Sequence, residues 1–121
     1  MTPANESPVL DMNVVKSLKE LGGEDDPNLF RELVELFLTD ARANVEKLTE
    51  ALEQEDPTAM QRVAHTMKSS AANVGAMRMS RLCSEIEKLC RAGSIDGAQD
   101  LVVETRREFQ EVSSMLATIQ G

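Results

Sequence analysis

The 121-residue sequence contains no tyrosine and no tryptophan, and its only aromatic side chains are three phenylalanines. Sheets draw on aromatic and β-branched residues for their packed faces, whereas helices pack well with leucine, methionine and alanine. Because 41% of the residues are hydrophobic, the chain can still build a core of its own. The composition therefore favours one domain of packed helices.

Long apolar stretches and an excess of positive charge are also absent. No run approaches the roughly 20 apolar residues of a membrane span, and the N-terminus lacks the basic and apolar segments of a signal peptide. The net charge of −8 argues against binding to nucleic acid or to an anionic membrane surface. We therefore expect a cytoplasmic protein without membrane insertion and without a nucleic-acid partner, either alone or within a longer chain.

Cysteine is scarce, and the two cysteines do not suit a disulfide. Cys83 and Cys90 are seven residues apart, which on one helix is a rise of about 10.5 Å, too far for an S–S bond. They share a helical face with apolar residues, so we expect buried, reduced thiols. The alternative is a redox or metal-binding pair, which no further cysteine or histidine supports.

The first eight residues contain two prolines and several small polar residues. They predict a flexible tail or linker over residues 1–8, before a single domain over residues 9–121. A short first helix follows, with Asp11 as its N-cap and a stop at Gly22-Gly23. The apolar stripe of this helix either buries against the end of the domain or leaves part of itself exposed for docking. The stripe comprises Val14, Val15, Leu18 and Leu21.

Four longer helices are predicted after it. Aspartate at the N-cap with proline at N1 indicates helix starts at Asp26-Pro27 and at Asp56-Pro57, and Gly75 is expected to serve the turn between the third and fourth helices. Apolar residues recur every three or four positions, no segment alternates as a strand does, and connections are short. The prediction is an all-α fold, an antiparallel up-down four-helix bundle with the short N-terminal helix packed at one end. The predicted ranges are 27–54, 57–72, 77–91 and 95–119.

The only histidine, His65, lies on the third predicted helix. With about 100° of rotation per residue, His65 falls outside the apolar stripe of that helix and is expected at the surface. Lys68 lies one turn away and biases the ring toward its neutral, nucleophilic form. The expected core stripe is Met60, Val63, Ala64, Met67 and Ala71, and the strip around His65 comprises Gln61, Lys68, Ser69 and Ala72.

Most other histidine chemistry lacks its partners in this sequence. A metal site needs two or more ligands at suitable spacing, and His65 stands alone. Ser69, four residues on, lacks the orienting carboxylate, oxyanion hole and sharp turn of an activated serine. No glycine-rich loop is present to bind ATP. Two explanations remain, either a surface histidine of no consequence or a nucleophile whose active site is completed by a second protein.

The segment around His65 resembles the signature of histidine-containing phosphotransfer (HPt) domains, in which histidine is followed by any residue, an apolar residue, lysine, glycine, two small residues and then an apolar–glycine pair. The order of helices fits that family from about residue 9 to residue 119. Ser69 departs from the usual glycine of the family, and we expect slower or more selective transfer as a result. The matching segments read His65-Thr66-Met67-Lys68-Ser69-Ser70-Ala71 and Val74-Gly75-Ala76.

The resemblance implies a phosphocarrier in phosphorelay signalling, not an enzyme. His65 would accept a phosphoryl group from the aspartate of a receiver domain and pass it to another receiver aspartate. The receiver would hold Mg²⁺, and this domain would bind no cofactor or metal of its own. The implied partners are response-regulator receiver domains and, within a longer chain, a hybrid sensor histidine kinase in cis. We expect a monomer.

The resemblance also implies roles for other side chains. Lys68 would steady the phosphoryl oxygens as a point charge. Glu87 and Arg91 occupy positions where some family members place polar groups facing the histidine, although an arginine at a helix C-terminus is equally explained by the helix dipole. Docking would use exposed parts of the first three helices. The remaining docking or secondary contacts are Gln61, Ser69 and Ala72.

Two other functions stay open at this point. One is a helical protein–protein adaptor without phosphochemistry, in which His65 is incidental. The other is the substrate domain of a chemotaxis-type kinase, which requires a kinase domain elsewhere in a longer chain. Transfer of label from a phosphorylated receiver to His65 separates the phosphocarrier from the adaptor.

Overall fold

The computed structural model describes residues 8–120, which fold into five α-helices without any β-strand. Helix α3 packs between α2 and α4, and α5 closes a four-helix bundle by packing against α4 and α2. The short α1 packs against α2. The predicted fold is therefore confirmed, whereas the predicted tail lies outside the described residues apart from Pro8. The helices are α1 Met12–Gly22, α2 Leu29–Glu53, α3 Pro57–Asn73, α4 Met77–Arg91 and α5 Ala98–Gln120.

The two aspartate–proline pairs behave differently. Asp56 caps α3 as predicted, because its carboxylate accepts a hydrogen bond from the backbone N–H of Ala59 at 3.1 Å. The predicted start of α2 at Asp26-Pro27 is wrong, since α2 begins at Leu29. The backbone carbonyl of Asp26 accepts from the N–H of Leu29 at 3.2 Å, so this pair forms a turn that precedes the helix.

The last helix also begins later than predicted, at Ala98 and not at Ile95. The backbone N–H of Ala98 donates to the carbonyl of Ile95 at 3.0 Å, and the N–H of Asp96 donates to the hydroxyl of Ser94 at 3.1 Å. Gly97 has a left-handed φ of 83°, which a continuing helix does not allow. These residues form the turn that reverses the chain between α4 and α5.

The core is built from aliphatic and methionine side chains, as the aromatic-poor composition predicts. Cys83 and Cys90 are buried free thiols, and burial raises the pKa of Cys83 to about 12. Val63 of the predicted stripe is half-buried at the groove between α2 and α3 and packs against the core. None of the helices in residues 8–120 is long and apolar enough to cross a membrane. Fully buried side chains include Leu48, Met60, Met67, Met79, Ile86, Val112 and Leu116.

The start of α1 is fixed to the turn between α3 and α4. Leu10 is buried, and the N–H of Asp11 donates to the carbonyl of Gly75 at 2.7 Å. Gly75 has a φ of 84°, and a Cβ added there would lie 2.9 Å from the Asp11 carbonyl oxygen and 3.2 Å from the Cβ of Val14. Glycine is therefore required at this turn both by backbone conformation and by the close approach of α1.

Candidate functional site

His65 lies near the middle of α3, with its side chain 64% exposed. Its neighbours Ala64 and Met67 are buried and hold this part of the helix against the core. The outward position expected from the helical spacing is therefore confirmed. The imidazole is attached to a rigid helix and is open to a second protein.

A carboxylate from α4 lies at the base of the exposed ring. Oxygen Oε2 of Glu87 is 2.7 Å from Nδ1 of His65, and Nζ of Lys68 donates to Oε1 at 2.6 Å. Nη2 of Arg91 lies 3.2 Å from Oε2, one turn further along α4. These four residues, which we call the Glu87 cluster, join the facing surfaces of α3 and α4.

The anion is the buried member of the Glu87 cluster. The side chain of Glu87 is 6% exposed, against 33% for Lys68 and 62% for Arg91. The hydrogen bond from Lys68 is the main cause that lowers the pKa of Glu87, and the hydrogen bond and charge of His65 act in the same direction. These effects outweigh burial, which by itself would raise the pKa of the carboxyl. Glu87 is therefore ionised at neutral pH.

The carboxylate determines which ring nitrogen of His65 carries the proton. An ionised carboxylate only accepts hydrogen bonds, so the 2.7 Å contact requires a proton on Nδ1. In the neutral ring Nε2 then carries the lone pair. No side chain or backbone group in residues 8–120 hydrogen-bonds to Nε2. The arrangement therefore presents an unprotonated nitrogen nucleophile at the surface.

Comparisons with known proteins agree with this geometry. The family model of the Hpt domain matches residues 32–119, well over half of the chain. The chain belongs to the Hpt domain family. It is 25% identical over 101 residues to histidine-containing phosphotransfer protein 4 of Arabidopsis thaliana, covering 82% of this chain and 80% of that protein.

Solved structures of Hpt proteins share the whole fold. Histidine-containing phosphotransfer protein B from Pseudomonas aeruginosa PAO1 superposes with a TM-score of 0.85 and 30% identity, covering 93% of this chain and 94% of that one. A histidine-containing phosphotransfer protein from maize gives a TM-score of 0.82 and 27% identity, covering 94% and 90%. The function of this Hpt domain is accordingly histidine phosphotransfer in phosphorelay signalling.

The strip that the sequence places around His65 divides into two parts in the Hpt domain. Gln61, Lys68 and Ala72 are half-buried along the edge of α3 that faces α4. Ser69 is exposed, and its hydroxyl makes no hydrogen bond within residues 8–120. The Glu87 cluster therefore includes Lys68 but neither Gln61, Ser69 nor Ala72.

The sequence predicts that Lys68 acts directly on the ring of His65, and it allows two explanations for Arg91. In the Hpt domain the carboxylate of Glu87 stands between both cations and His65. Arg91 ends α4 and also pairs with Glu87 four residues earlier, a position that is compatible with either explanation. The four-residue spacing of Glu87 and Arg91 on one helix is the sequence feature that could have predicted this ion pair.

The apolar surface of α1 and α2 was only partly anticipated. Val15 is buried, Val14 and Leu18 are half-buried, and Leu21 is 67% exposed, so the stripe mostly packs inward and leaves one residue outside. Sequence reasoning missed two further exposed side chains, Met12 at 51% and Leu36 at 60%. Hydropathy alone could not identify these two side chains as exposed. Met12 directly follows Asp11 and Leu36 directly follows Glu35, and both occupy outward-facing positions of their helices.

Proposed function

We propose that Nε2 of His65 is the phosphoryl acceptor and donor of this Hpt domain. One observation carries the proposal: an imidazole that is 64% exposed and whose Nδ1 is held by the buried carboxylate of Glu87 at 2.7 Å, while Nε2 has no hydrogen-bond partner in residues 8–120. A nitrogen that attacks phosphorus must be unprotonated and accessible, and the contact of Nδ1 with Glu87 gives Nε2 both properties.

The proposed step moves one phosphoryl group and no proton. The lone pair of Nε2 attacks the phosphorus of an aspartyl phosphate in line, an N–P bond forms, and the bond from phosphorus to the aspartyl oxygen breaks. The receiver aspartate leaves as a free carboxylate. The ring gains positive charge and keeps its Nδ1 proton, which stays hydrogen-bonded to Glu87. Reversal of the same step delivers the group to another receiver.

Lys68 and Arg91 are proposed to stabilise the phosphorylated state. Both lie against Glu87 before transfer, and both keep part of their side chains in solvent, so either can turn toward new oxygen atoms. A phosphoryl group adds up to two negative charges beside them and competes with Glu87 for their hydrogen bonds. In this proposal Glu87 is a positioning residue, because it acts through the ring and its two cations.

The proposed partners are response-regulator receiver domains, either on separate proteins or within a hybrid sensor kinase that contains this domain. The receiver is proposed to supply Mg²⁺ and most of the groups that activate the aspartyl phosphate, so the Hpt domain needs no cofactor. The exposed apolar side chains of Met12, Leu21 and Leu36 on α1 and α2 support docking on that side of the bundle. We propose that the domain acts as a cytoplasmic monomer and phosphocarrier without kinase activity of its own.

The proposal is tested with a receiver domain that has been phosphorylated by radiolabelled acetyl phosphate in the presence of Mg²⁺. The expected result is acid-labile label on the wild-type chain and none on His65→Gln. Because His65 is the only histidine, any remaining acid-labile label cannot be on another imidazole. Equal labelling of the wild type and His65→Gln would reject the proposal and leave a helical adaptor as the better account.

A further inference from the structure

The charge of the chain is unevenly distributed. Residues 57–91, which contain α3, α4 and their turn, carry six basic residues against two acidic ones, a net charge of +4 in a chain of net charge −8. The two acidic residues are Glu85 and the buried Glu87. One pair of helices is therefore cationic on an otherwise acidic molecule. Its basic residues are Arg62, Lys68, Arg78, Arg81, Lys88 and Arg91.

Three of these cations lie on one exposed side of α4. Arg81, Lys88 and Arg91 are separated by seven and three residues, which places them within an arc of about 80° on the helix. All three are exposed. Arg91 pairs with Glu87, but neither Arg81 nor Lys88 forms an ion pair with any of residues 8–120. We call these residues the cationic strip.

Acidic residues border the cationic strip at its Arg81 end. Glu85 lines the groove between α4 and α5 together with Arg81, Glu104 and Glu108, whereas Lys88 and Arg91 lie outside that groove. Glu87 is buried and already accepts hydrogen bonds from α3. Lys88 therefore presents an unpaired charge at the surface of residues 8–120, and Arg81 presents one beside a groove that also holds carboxylates.

A partner docked on His65 is large enough to reach the cationic strip. A standard interface buries about 800 Å² on each side, a disc with a radius of about 16 Å. The axes of packed helices lie about 8–10 Å apart, and Arg81 is about 9 Å along α4 from Glu87, the residue beneath the ring. By these spacings, the backbone of α4 at all three positions lies within such a radius of His65.

We infer that the cationic strip is a second part of the receiver-docking surface, one that binds the acidic face around the phosphoaspartate. The inference rests on the proposed function and extends docking beyond α1, α2 and α3 onto α4. A site that holds Mg²⁺ and an aspartyl phosphate is lined with carboxylates, and its rim is negative. An acidic protein face suits the strip better than nucleic acid, because the rest of this chain would repel a long polyanion.

The test compares two double variants with equal changes of charge. Arg81→Glu with Lys88→Glu reverses the strip, and Arg42→Glu with Arg106→Glu reverses two exposed arginines beside the groove between α2 and α5, on the opposite face. Transfer from a phosphorylated receiver domain is followed as a function of receiver concentration and ionic strength. Phosphoramidate, a donor too small to have a docking surface, reports on the chemistry of His65 alone, and thermal melts check folding.

We expect the strip variant to lower the second-order rate of transfer about tenfold at an ionic strength of about 0.02 M and by less than about twofold at about 1 M. Its rate with phosphoramidate and its rate at saturating receiver should match those of the wild type. The control variant should change the second-order rate by less than about twofold.

Equal rates for the two double variants at every ionic strength would overturn the inference and leave the proposed function intact. A loss confined to the saturated rate, or an equal loss with phosphoramidate, would also overturn it, since the strip would then act on the chemistry. Tighter strip-dependent binding of duplex DNA than of the receiver would reassign the surface to nucleic acid. Absence of label on the wild type with either donor would overturn the proposed function, and the inference with it.

Discussion

Replacement of Glu87 by glutamine is the most informative single change in this protein. The amide keeps the shape of the carboxylate but has one acceptor oxygen where the native site uses two. If that oxygen takes the hydrogen bond from Lys68, the NH₂ group faces Nδ1 of His65 and forces the proton onto Nε2. If it takes the bond from Nδ1, the NH₂ group faces the ammonium of Lys68, which then turns to solvent. Either arrangement weakens the preference for a free Nε2.

The size of the effect follows from the exposure of the partners. A hydrogen bond to a charged group contributes about 1.5–3 kcal/mol when it is well shielded. Because the imidazole of His65 is 64% exposed, solvent screens the interaction and the lower end applies. About 1.4 kcal/mol in favour of the reactive tautomer corresponds to about tenfold in the rate of phosphorylation. Stability should fall by only about 1 kcal/mol, because both cations of the cluster can reach water.

Two measurements check the expected result of Glu87→Gln. Since the chain has a single histidine, its two ring nitrogens give one unambiguous pair of ¹⁵N resonances, which report the tautomer directly. Phosphoramidate gives the intrinsic phosphorylation rate without a docking step. Glu85→Gln is the matched control, an exposed carboxylate two residues away on another side of α4. Unchanged tautomer and unchanged rate in Glu87→Gln would refute the positioning role.

The same variant has a defined dependence on pH. The pKa of Glu87 is lowered from its ordinary value of 4.5, chiefly by the hydrogen bond from Lys68. The stability that the ionised carboxylate contributes is therefore complete above that ordinary value and is lost as the pH falls through the lower, folded-state pKa. The difference in unfolding free energy between the wild type and Glu87→Gln should shrink on acidification, as measured by urea titration. A constant difference from neutral to acid pH would contradict this linkage.

Three further predictions concern the fold. Gly75→Ala should lower the unfolding free energy by about 2–3 kcal/mol in urea titrations, because the new Cβ would meet the Asp11 carbonyl oxygen and the backbone would be strained by the positive φ. Gly97→Ala has a similar positive φ but nothing within 4 Å of the new Cβ, so it should cost only about 1 kcal/mol. Equal losses in the two variants would contradict the close approach of α1 to Gly75. Met67→Ala should cost about 2–5 kcal/mol by the same assay, since Met67 is buried in the core, and a loss below about 1 kcal/mol would contradict that burial. Cys83, buried and with its pKa raised to about 12, should react with a disulfide reagent at pH about 8 only on unfolding, and rapid reaction of the native protein would contradict its burial.

The fold could be predicted from the sequence because its signals are local. Apolar residues every three or four positions identify each helix, and the capping aspartate of α3 accepts a hydrogen bond from a backbone N–H within the first turn of that helix. The failure at Asp26-Pro27 has a local cause as well. The same residue pair also suits a turn, and the carbonyl of Gly22 at the end of α1 accepts from the N–H of Asp26 at 3.0 Å. The sequence alone does not decide between the two uses.

The site could be predicted only in part, because its main contact joins residues far apart in the chain. The position of His65 on an outward strip follows from helical rotation. The contact between His65 and Glu87 spans 22 residues and depends on the register of α3 against α4. That register is fixed by the glycine turn and by contacts such as the hydrogen bond from the Ser80 hydroxyl to the Lys68 carbonyl at 2.9 Å. No periodicity within either helix reports it.

The burial of the charged groups in the Glu87 cluster determines which substitution should disturb the cluster most. The carboxylate is buried and the cations are partly exposed, so loss of Lys68 leaves Glu87 with hydrogen bonds from His65 and Arg91. Loss of Glu87 instead releases all three partners to solvent and frees the ring to exchange tautomers. The cations can therefore substitute for one another in holding the anion, whereas in the described part of the chain no second acid forms an ion pair with His65, Lys68 or Arg91. Glu87 on α4 is thus the residue that we propose to control the reactivity of His65 on α3.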